Sequence, residues 1–597
     1  MNRLSILFFF LLIIPFACSK KSETNTEKPN ILIILTDDQG YGDISINGNA
    51  ELDTPNMDAF ARQSVRLHDY HSQPVCAPSR AQLMTGRQAL TAGVWGVHAG
   101  REYLNLDELT IAEVLQNDGY QTFMLGKWHL GKEDPYLPES RGFDEAWVQT
   151  NLYQHQNPII KHKGTELAPK AWTVNYLTDT AIEVFARESD EPKFVYLAYP
   201  QIHKPYIAPD SLIQKYIDRG HSRAVASIYG ITEQLDQNIG RLFKELENSG
   251  TLENTLVFFI GDNGPIWNNP PANSNGLPQL PEEESARNPL NLAGVKGRLH
   301  ENGHRTIGYV KWGERFKERD EYQMVDIADL FPTITDILAI DLPKNSKELL
   351  GESILPILNG NIQNREAYYY YSNHEILWEN RPYQYAFLED RNALIFEEQE
   401  LAIRKGKYKY IQGYFGKKLF DLDSDLQELV DITDQKPEMR FELENELKRW
   451  WENDVIKNST SYDIPQFHVG ILGKDSTYIH GSAPTKVFGD IITGSHDSQN
   501  WIKDGDGVSY SFFVDNLGIF EFTPHWEIGA TDAEIEVIID NQINRYKLSE
   551  LSKNTIPIAT LSLEPGDHEI SVRLKNTKPN GKVAIENFYG LIVTDKK

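Results

Sequence analysis

The stretch Pro29-Asn30-Ile31-Leu32-Ile33-Ile34-Leu35-Thr36-Asp37-Asp38-Gln39-Gly40 decides the fold class. Five consecutive apolar residues with no polar alternation suit a strand covered on both faces, as in a parallel sheet. The polar Thr-Asp-Asp-Gln-Gly then stops the run abruptly. Working outward, three more such runs lie at wide spacing, over 121–125, 194–199 and 256–260. Each also leads into a polar cluster: Gly126-Lys127-Trp128-His129, His203-Lys204-Pro205 and Gly261-Asp262-Asn263-Gly264. Between them, 225–248 has helical periodicity and stops at Gly250, and 324–338 reads as another helix. Strands alternating with helices predict an α/β domain with a large mixed, mostly parallel sheet flanked by helices. Ligands of such sheets gather at the carboxyl ends of the strands. The four clusters are therefore expected to converge on one rim.

From about Tyr368 the texture changes. Leu401 to Ile411 reads as strand, Gly turn and strand, Leu419 to Leu422 as another short strand, and 437–453 as a helix. This predicts a smaller antiparallel-sheet subdomain. Further on, 509–513, 518–523, 534–539 and 568–574 alternate apolar and polar residues between turns, the pattern of a C-terminal β-sandwich. The expected organisation is a signal peptide over 1–18, a linker over 19–28, the α/β domain over 29–366, the small subdomain over 367–458 and the sandwich over 459–597. No repeat of fixed period is found.

A chain of 597 residues with 40% hydrophobic and 11% aromatic residues is globular and too long for one core. A formal charge of -27 argues against nucleic acid as a partner, which would need a basic face. Small anionic substrates stay open, because a local cluster of cations can dominate the field inside a cleft. Arg3 followed by the apolar stretch 4–16 reads as an export signal. The sequence Ala17-Cys18-Ser19 is similar to a bacterial lipoprotein processing site, so the expectation is an exported protein, periplasmic or at the outer membrane or cell surface, attached through a lipidated Cys18; an ordinary cleaved signal with an incidental Cys18 is the alternative. Cys76 is the other of two cysteines. A lone thiol in an oxidising compartment calls for a chemical reason.

The segment Pro74-Val75-Cys76-Ala77-Pro78-Ser79-Arg80-Ala81-Gln82-Leu83-Met84-Thr85-Gly86-Arg87 supplies one. It closely resembles the signature of the formylglycine-dependent type I sulfatases, members of the alkaline phosphatase superfamily, in which Cys-x-Pro-x-Arg is oxidised at the Cys by a formylglycine-generating maturation enzyme. The resemblance implies that the hydrated aldehyde at position 76 attacks sulfur, and that its second hydroxyl then allows sulfate to leave. A helix starting at Ser79 would aim its positive end at the anionic ester. The resemblance further implies a divalent metal, Ca²⁺ or alternatively Mg²⁺, at Asp37, Asp38, Cys76, Asp262 and Asn263, whose oxygen donors are hard. For Asp262-Asn263 alone, a tight turn is the simpler reading.

The segment Gly119 to His129 resembles the second signature of the family, and implies that Lys127 contacts sulfate and that His129 takes the proton of the diol. By the same resemblance, Arg80 orients the nucleophile, and His203 with Lys296 binds sulfate and protonates the leaving group. Glu301-Asn302-Gly303-His304-Arg305 departs from the usual Glu-Gly-Gly-x-Arg, and Asn302 is expected to tolerate a positive φ there. Among Trp95, Trp147, Trp267 and Trp378, Trp267 is the strongest candidate for stacking on a sugar, with packing as the competing role. His98, Arg101 and His155 are further candidate substrate contacts. The expected substrate is a sulfated carbohydrate, the sandwich being able to bind glycan or simply pack. Two rival functions stay open: a phosphonate or phosphodiester hydrolase of the same superfamily, and a non-catalytic protein that binds sulfated glycan.

Overall fold

The computed structural model describes residues 28–596, apart from position 99 and the segments 268–280, 363–364, 366, 373–393, 414–415, 458–460, 462–464, 495–496, 531, 552–554 and 577–581. The export signal, Cys18, Trp378 and all of the linker except Lys28 lie outside the described residues.

A ten-stranded mixed sheet runs, edge to edge, through Arg319–Glu321, Val65–Leu67, Gly308–Lys311, Thr255–Gly261, Asn30–Thr36, Lys193–Ala198, Gln121–Gly126, Glu145–Gln149, Ile160–His162 and Thr165–Leu167. Its five central strands, Thr255–Gly261 to Glu145–Gln149, are mutually parallel. Asn30–Thr36 lies at the centre, paired on both sides. Its apolar run is divided between two cores. Ile31, Ile33 and Leu35 pack into one layer, with the helix Cys76–Thr85. Leu32 and Ile34 pack into the opposite layer, with Thr173–Ala186 and Arg223–Asn248. All five side chains are fully buried, each contributing about 1.5–3 kcal/mol. This explains a run with no alternation: neither face meets water.

The expected helix over 324–338 is shorter in the structure. Val325–Asp326 forms a two-residue strand, a 3₁₀ turn follows over Ile327–Asp329, and the α-helix is Leu330–Leu338. Asp326 explains the late start. Its carboxylate accepts from the Ala328 N–H and its own N–H donates to Asp329, which closes a capping box instead of helix.

The small subdomain is a four-stranded antiparallel sheet in the order Tyr369–Ser372, Leu401–Lys405, Tyr408–Gln412 and Lys418–Asp421, covered by the helix Pro437–Trp450. The C-terminal region forms two six-stranded sheets around one apolar core that includes Trp501, Phe512, Trp526 and Phe588. The long strand Ile585–Asp595, central in its sheet, was not anticipated from the sequence. Tyr103 and Tyr136 of the α/β domain belong to that same core, so the sandwich shares apolar interior with loops beside the sheet rim.

Candidate active site

The four clusters do converge at the carboxyl ends of the central strands. Asp37 and Asp38 follow the first strand, with Asp38 at φ +62°. Lys127 and His129 follow the strand Gln121–Gly126, with His129 at φ +63°. Positive φ at two non-glycine residues is unusual and concentrates where side chains must be aimed. Asp262 and Asn263 follow Thr255–Gly261, and His203 follows Lys193–Ala198. The Asp37 N–H donates to the Gln201 carbonyl at 2.7 Å, and the Asp37 carbonyl accepts from Ile202 at 2.6 Å. These bonds tie the first cluster to the His203 loop.

The helix that carries Cys76 begins three residues earlier than expected, at Cys76 itself, and every residue of it is buried. Cys76 therefore occupies the first helical position, where backbone N–H groups have no partner within the helix. His129 Nε2–H donates to the Val97 carbonyl at 2.8 Å, which leaves the Nδ1 lone pair 3.4 Å from Cys76 Sγ. Burial, then the charge of Lys127, holds His129 well below the usual imidazole range, so it is a neutral base. Burial also pushes the Cys76 thiol up, against the pull of Lys127 and Lys296.

Arg80 is wholly buried. It donates to Asp262 Oδ2 from Nε and Nη2, at 3.1 and 2.8 Å, and to the Lys127 carbonyl at 2.6 Å. Lys127 Nζ reaches Asp37 Oδ2 at 2.5 Å, and Lys296 Nζ reaches Asp38 Oδ1 at 2.5 Å. His203 Nε2 lies 3.6 Å from Asp38 Oδ2. Burial alone would raise the Asp37 carboxyl, but Lys127, His203, Arg80 and Lys296 together hold it below the usual carboxylate range. Asp262 moves the other way, up to about 6, through burial and the charge of Asp37.

Three buried oxygens accept no hydrogen bond: Asp37 Oδ1, Asp38 Oδ2 and Asn263 Oδ1. Asn263 Nδ2 is turned away, donating to Asp38 Oδ1 and the Gly264 carbonyl, both at 2.9 Å. Burying an unpaired carboxylate oxygen is costly unless something positive completes it. Asp37, Cys76 and Asp262 bring ligand atoms within 4.8 Å of one another, as do Asp37, Asp38 and His203. The oxygens of Asp37, Asp38, Asp262 and Asn263 among them fit a hard divalent cation.

The structure divides the other candidates. His98 lies at the rim, its ring 6.3 Å from that of His129. His155 is fully buried and stands behind the site, its Nε2–H donating to the His203 carbonyl at 2.7 Å; burial brings its pKa down to about 4. Arg101 is also fully buried, bonded to the His98 carbonyl and set 5.5 Å from the Trp95 ring. These two build the wall rather than its surface. Trp267 is only 5% exposed, and Trp147 is stacked on His162 at 4.1 Å; both are packing residues. Asn302 needs no positive φ, because Glu301–His304 forms a short helical turn. The neighbouring Gly303 is the constrained residue: a Cβ there would fall 1.9 Å from the Arg298 carbonyl oxygen.

Sequence reading missed Tyr153. Its half-buried ring stacks on His203 at 4.7 Å, its hydroxyl lies 3.3 Å from His98 Nε2, and Lys127 Nζ lies 6.0 Å from the ring centroid. Burial pushes its pKa up to about 12. It sits in a loop with no motif, so nothing local announced it.

Comparison with known proteins agrees with this geometry. The sequence model of the family described as Sulfatase matches residues 29–340, more than half of the chain. The chain is 28% identical over 384 residues to N-acetylgalactosamine-6-sulfatase of Mus musculus, covering 58% of this chain and 69% of that protein. It is 29% identical over 408 residues to arylsulfatase G of Rattus norvegicus, covering 61% and 75%. Among solved structures, that of Ps i-CgsB superposes with a TM-score of 0.62 at 24% identity, covering 72% of this chain and 94% of that one, which is a likeness of fold. The chain belongs to the sulfatase family of the alkaline phosphatase superfamily and is a sulfuric ester hydrolase.

Proposed function

We propose that the protein hydrolyses sulfate esters of a carbohydrate through a formylglycine made from Cys76, with Ca²⁺ held by Asp37, Asp38, Asp262 and Asn263. The observation that carries this reading is the pairing of His129 Nδ1 with Cys76 Sγ, next to three buried oxygens that accept no hydrogen bond. The cation would supply charge to draw the sulfate oxygens in and to favour the ionised nucleophile. A hydrated aldehyde at position 76 would supply one hydroxyl to attack sulfur and a second whose deprotonation releases sulfate.

The chain's own groups handle the rest. Lys127 and Lys296, each beside a carboxylate, present ammonium hydrogens toward the sulfate oxygens. The Arg80 guanidinium fixes Asp262 and the Lys127 backbone, so that the metal oxygens and the sulfate-binding ammonium stay aligned. His129 Nδ1 accepts the proton of the second hydroxyl. His203, close to Asp38 and Lys296, gives a proton to the departing alcohol oxygen as the S–O bond breaks. Support for a sugar substrate comes from the relative named N-acetylgalactosamine-6-sulfatase. Tyr153 and His98 at the rim offer a ring face and a polar edge for a sugar. Export with a lipid on Cys18 is part of the same proposal.

The test is protein co-expressed with a maturation enzyme, followed by peptide mass spectrometry across Cys76 and sulfate release from a panel of sulfated sugars. An aldehyde at position 76 with sulfate released is the expected result. A thiol that persists beside undiminished sulfate release would remove the nucleophile from this reading. Faster turnover of a phosphodiester than of any sulfate ester would move the activity to the phosphate side, and glycan binding without sulfate release would leave only a binding protein.

A further inference from the structure

Beneath the site lies a second buried polar cluster that the reaction does not use. His71, Glu301 and His304 bring three ligand atoms within 4.8 Å, all buried, which by composition resembles a metal site. The partners of these atoms exclude that. Lys409 Nζ lies 2.8 Å from His304 Nε2 and 3.0 Å from Glu301 Oε1, so an ammonium already fills the position a cation would take. His304 Nε2 also lies 3.3 Å from the Leu299 carbonyl, and its Nδ1 lies 2.9 Å from His71 Nδ1, so one of the two Nδ1 atoms donates to the other. His71 Nε2 lies between two partners, 2.7 Å from Asp69 Oδ1 and 2.8 Å from Arg404 Nη1. Arg404 completes the far end, its Nη2 donating to Asp69 Oδ2 at 2.6 Å and its Nη1 to Asp69 Oδ1 at 3.1 Å. Both rings are neutral: burial brings His71 down to about 4 and holds His304 well below its usual value. All four ring nitrogens are committed, and none remains for a metal.

The ends of this chain belong to the small sheet, Arg404 in Leu401–Lys405 and Lys409 in Tyr408–Gln412. Its middle belongs to two segments that lead to the active site. His71 begins the stretch that reaches Cys76, and Glu301–His304 follows the loop of Lys296. The two segments are bonded to each other, Ser72 N–H to the His304 carbonyl at 2.9 Å and Gly297 N–H to the Pro74 carbonyl at 2.8 Å. The small sheet grips the first segment again at Gln73, which donates to the Tyr370 carbonyl and accepts from the Ser372 N–H. The loop after its last strand grips the second at Glu301, whose N–H donates to Glu428 at 2.6 Å.

We propose that Lys409 and Arg404 are positioning residues for sulfate-ester hydrolysis: through the hydrogen-bonded network of Lys409, His304, His71, Asp69 and Arg404, the small sheet sets the loop of Cys76 against the loop of Lys296. The proposal rests on Cys76 and Lys296 being reacting groups, as argued above. A displacement of about 1 Å between two such groups costs on the order of 100-fold in rate.

The test is the full-length double substitution Lys409→Met with Glu428→Gln, which removes the donor without leaving an unpaired carboxylate, since Glu301 keeps Arg305 at 2.9 Å. Arg404→Lys is the second variant; it keeps the charge but cannot serve both Asp69 oxygens. Cooperative melting and formylglycine content are measured first. The expected result is a kcat, per formylglycine, lowered on the order of 10- to 100-fold with KM within about threefold, together with faster amide hydrogen exchange at Ser72 and Gly297. Variants that melt earlier yet keep kcat, or that keep the protection of those two amides, would overturn the proposal. A wild-type enzyme that releases no sulfate would count against the function proposed above, while the exchange result would still decide the coupling.

Discussion

At the scale of single residues, the site is a set of buried charges that complete one another. Cys76→Ala is expected to leave melting nearly unchanged, because a small apolar residue suits the site, while sulfate release falls to background; an activity assay beside calorimetry checks both. His155 makes a subtler case. Its hydrogen bond to the His203 carbonyl acts only on the position of the acid, so His155→Phe should lower kcat about 5- to 10-fold, the value of one lost hydrogen bond, with little change in KM. Chelation should also abolish turnover, with Ca²⁺ restoring it, if the three oxygens without donors are metal ligands; unchanged turnover after exhaustive chelation would count against the metal. Residue identity in this site was legible wherever a short motif carried it, as around Cys76 and Lys127. It was illegible for Tyr153 and for the Val97 carbonyl, whose contributions arise from loops brought together by the fold. A backbone oxygen has no sequence signal at all.

At the scale of elements, parallel strands could be read because burial on both faces leaves an unbroken apolar run, and Ile31 to Leu35 show this in alternate packing. The helix at 324–338 was read too long because apolar periodicity says nothing about a capping box, which Asp326 closes by local hydrogen bonds. That residue also gives a pH prediction. Burial, then the charge of Asp329, raises the Asp326 carboxyl to about 7 from an ordinary value of 3.8. Between about pH 4 and 7 the folded chain holds a proton there that the unfolded chain has lost, so this group's contribution to stability falls as pH rises. Asp326→Asn keeps an oxygen for the Ala328 N–H and removes the titration. Its stability relative to wild type should therefore climb by up to about 1.4 kcal/mol per pH unit across that window, measured by denaturation at several pH values. A difference that stays flat with pH would show that Asp326 ionises normally.

At the scale of the whole molecule, the sandwich is more than an appendage. Phe467 meets Tyr103 edge-to-face across the seam, Tyr103 meets Tyr136 edge-to-face beside it, and the Tyr136 hydroxyl accepts from the Gln466 N–H at 2.9 Å. Tyr103 ends the loop that presents the Val97 carbonyl to His129. Phe467→Ala should thus cost about 3–5 kcal/mol and also lower kcat, by loosening that loop. Loss of stability with kcat intact would show that the seam only packs. The seam was invisible in the sequence, since Tyr103 and Phe467 lie far apart along the chain and look like ordinary aromatics.

If Cys76 is oxidised as proposed, its placement at the start of a helix with no exposed residue sets an order of events in biosynthesis. An oxidising enzyme that reads Cys-x-Pro-x-Arg would have to reach the segment, and in the finished protein both the Cys and the Arg are sealed inside. The proposed oxidation would therefore have to happen while the chain is newly made, before these residues close. Protein purified as the thiol should stay a thiol when the maturation enzyme is added afterwards, and become convertible only once it is unfolded.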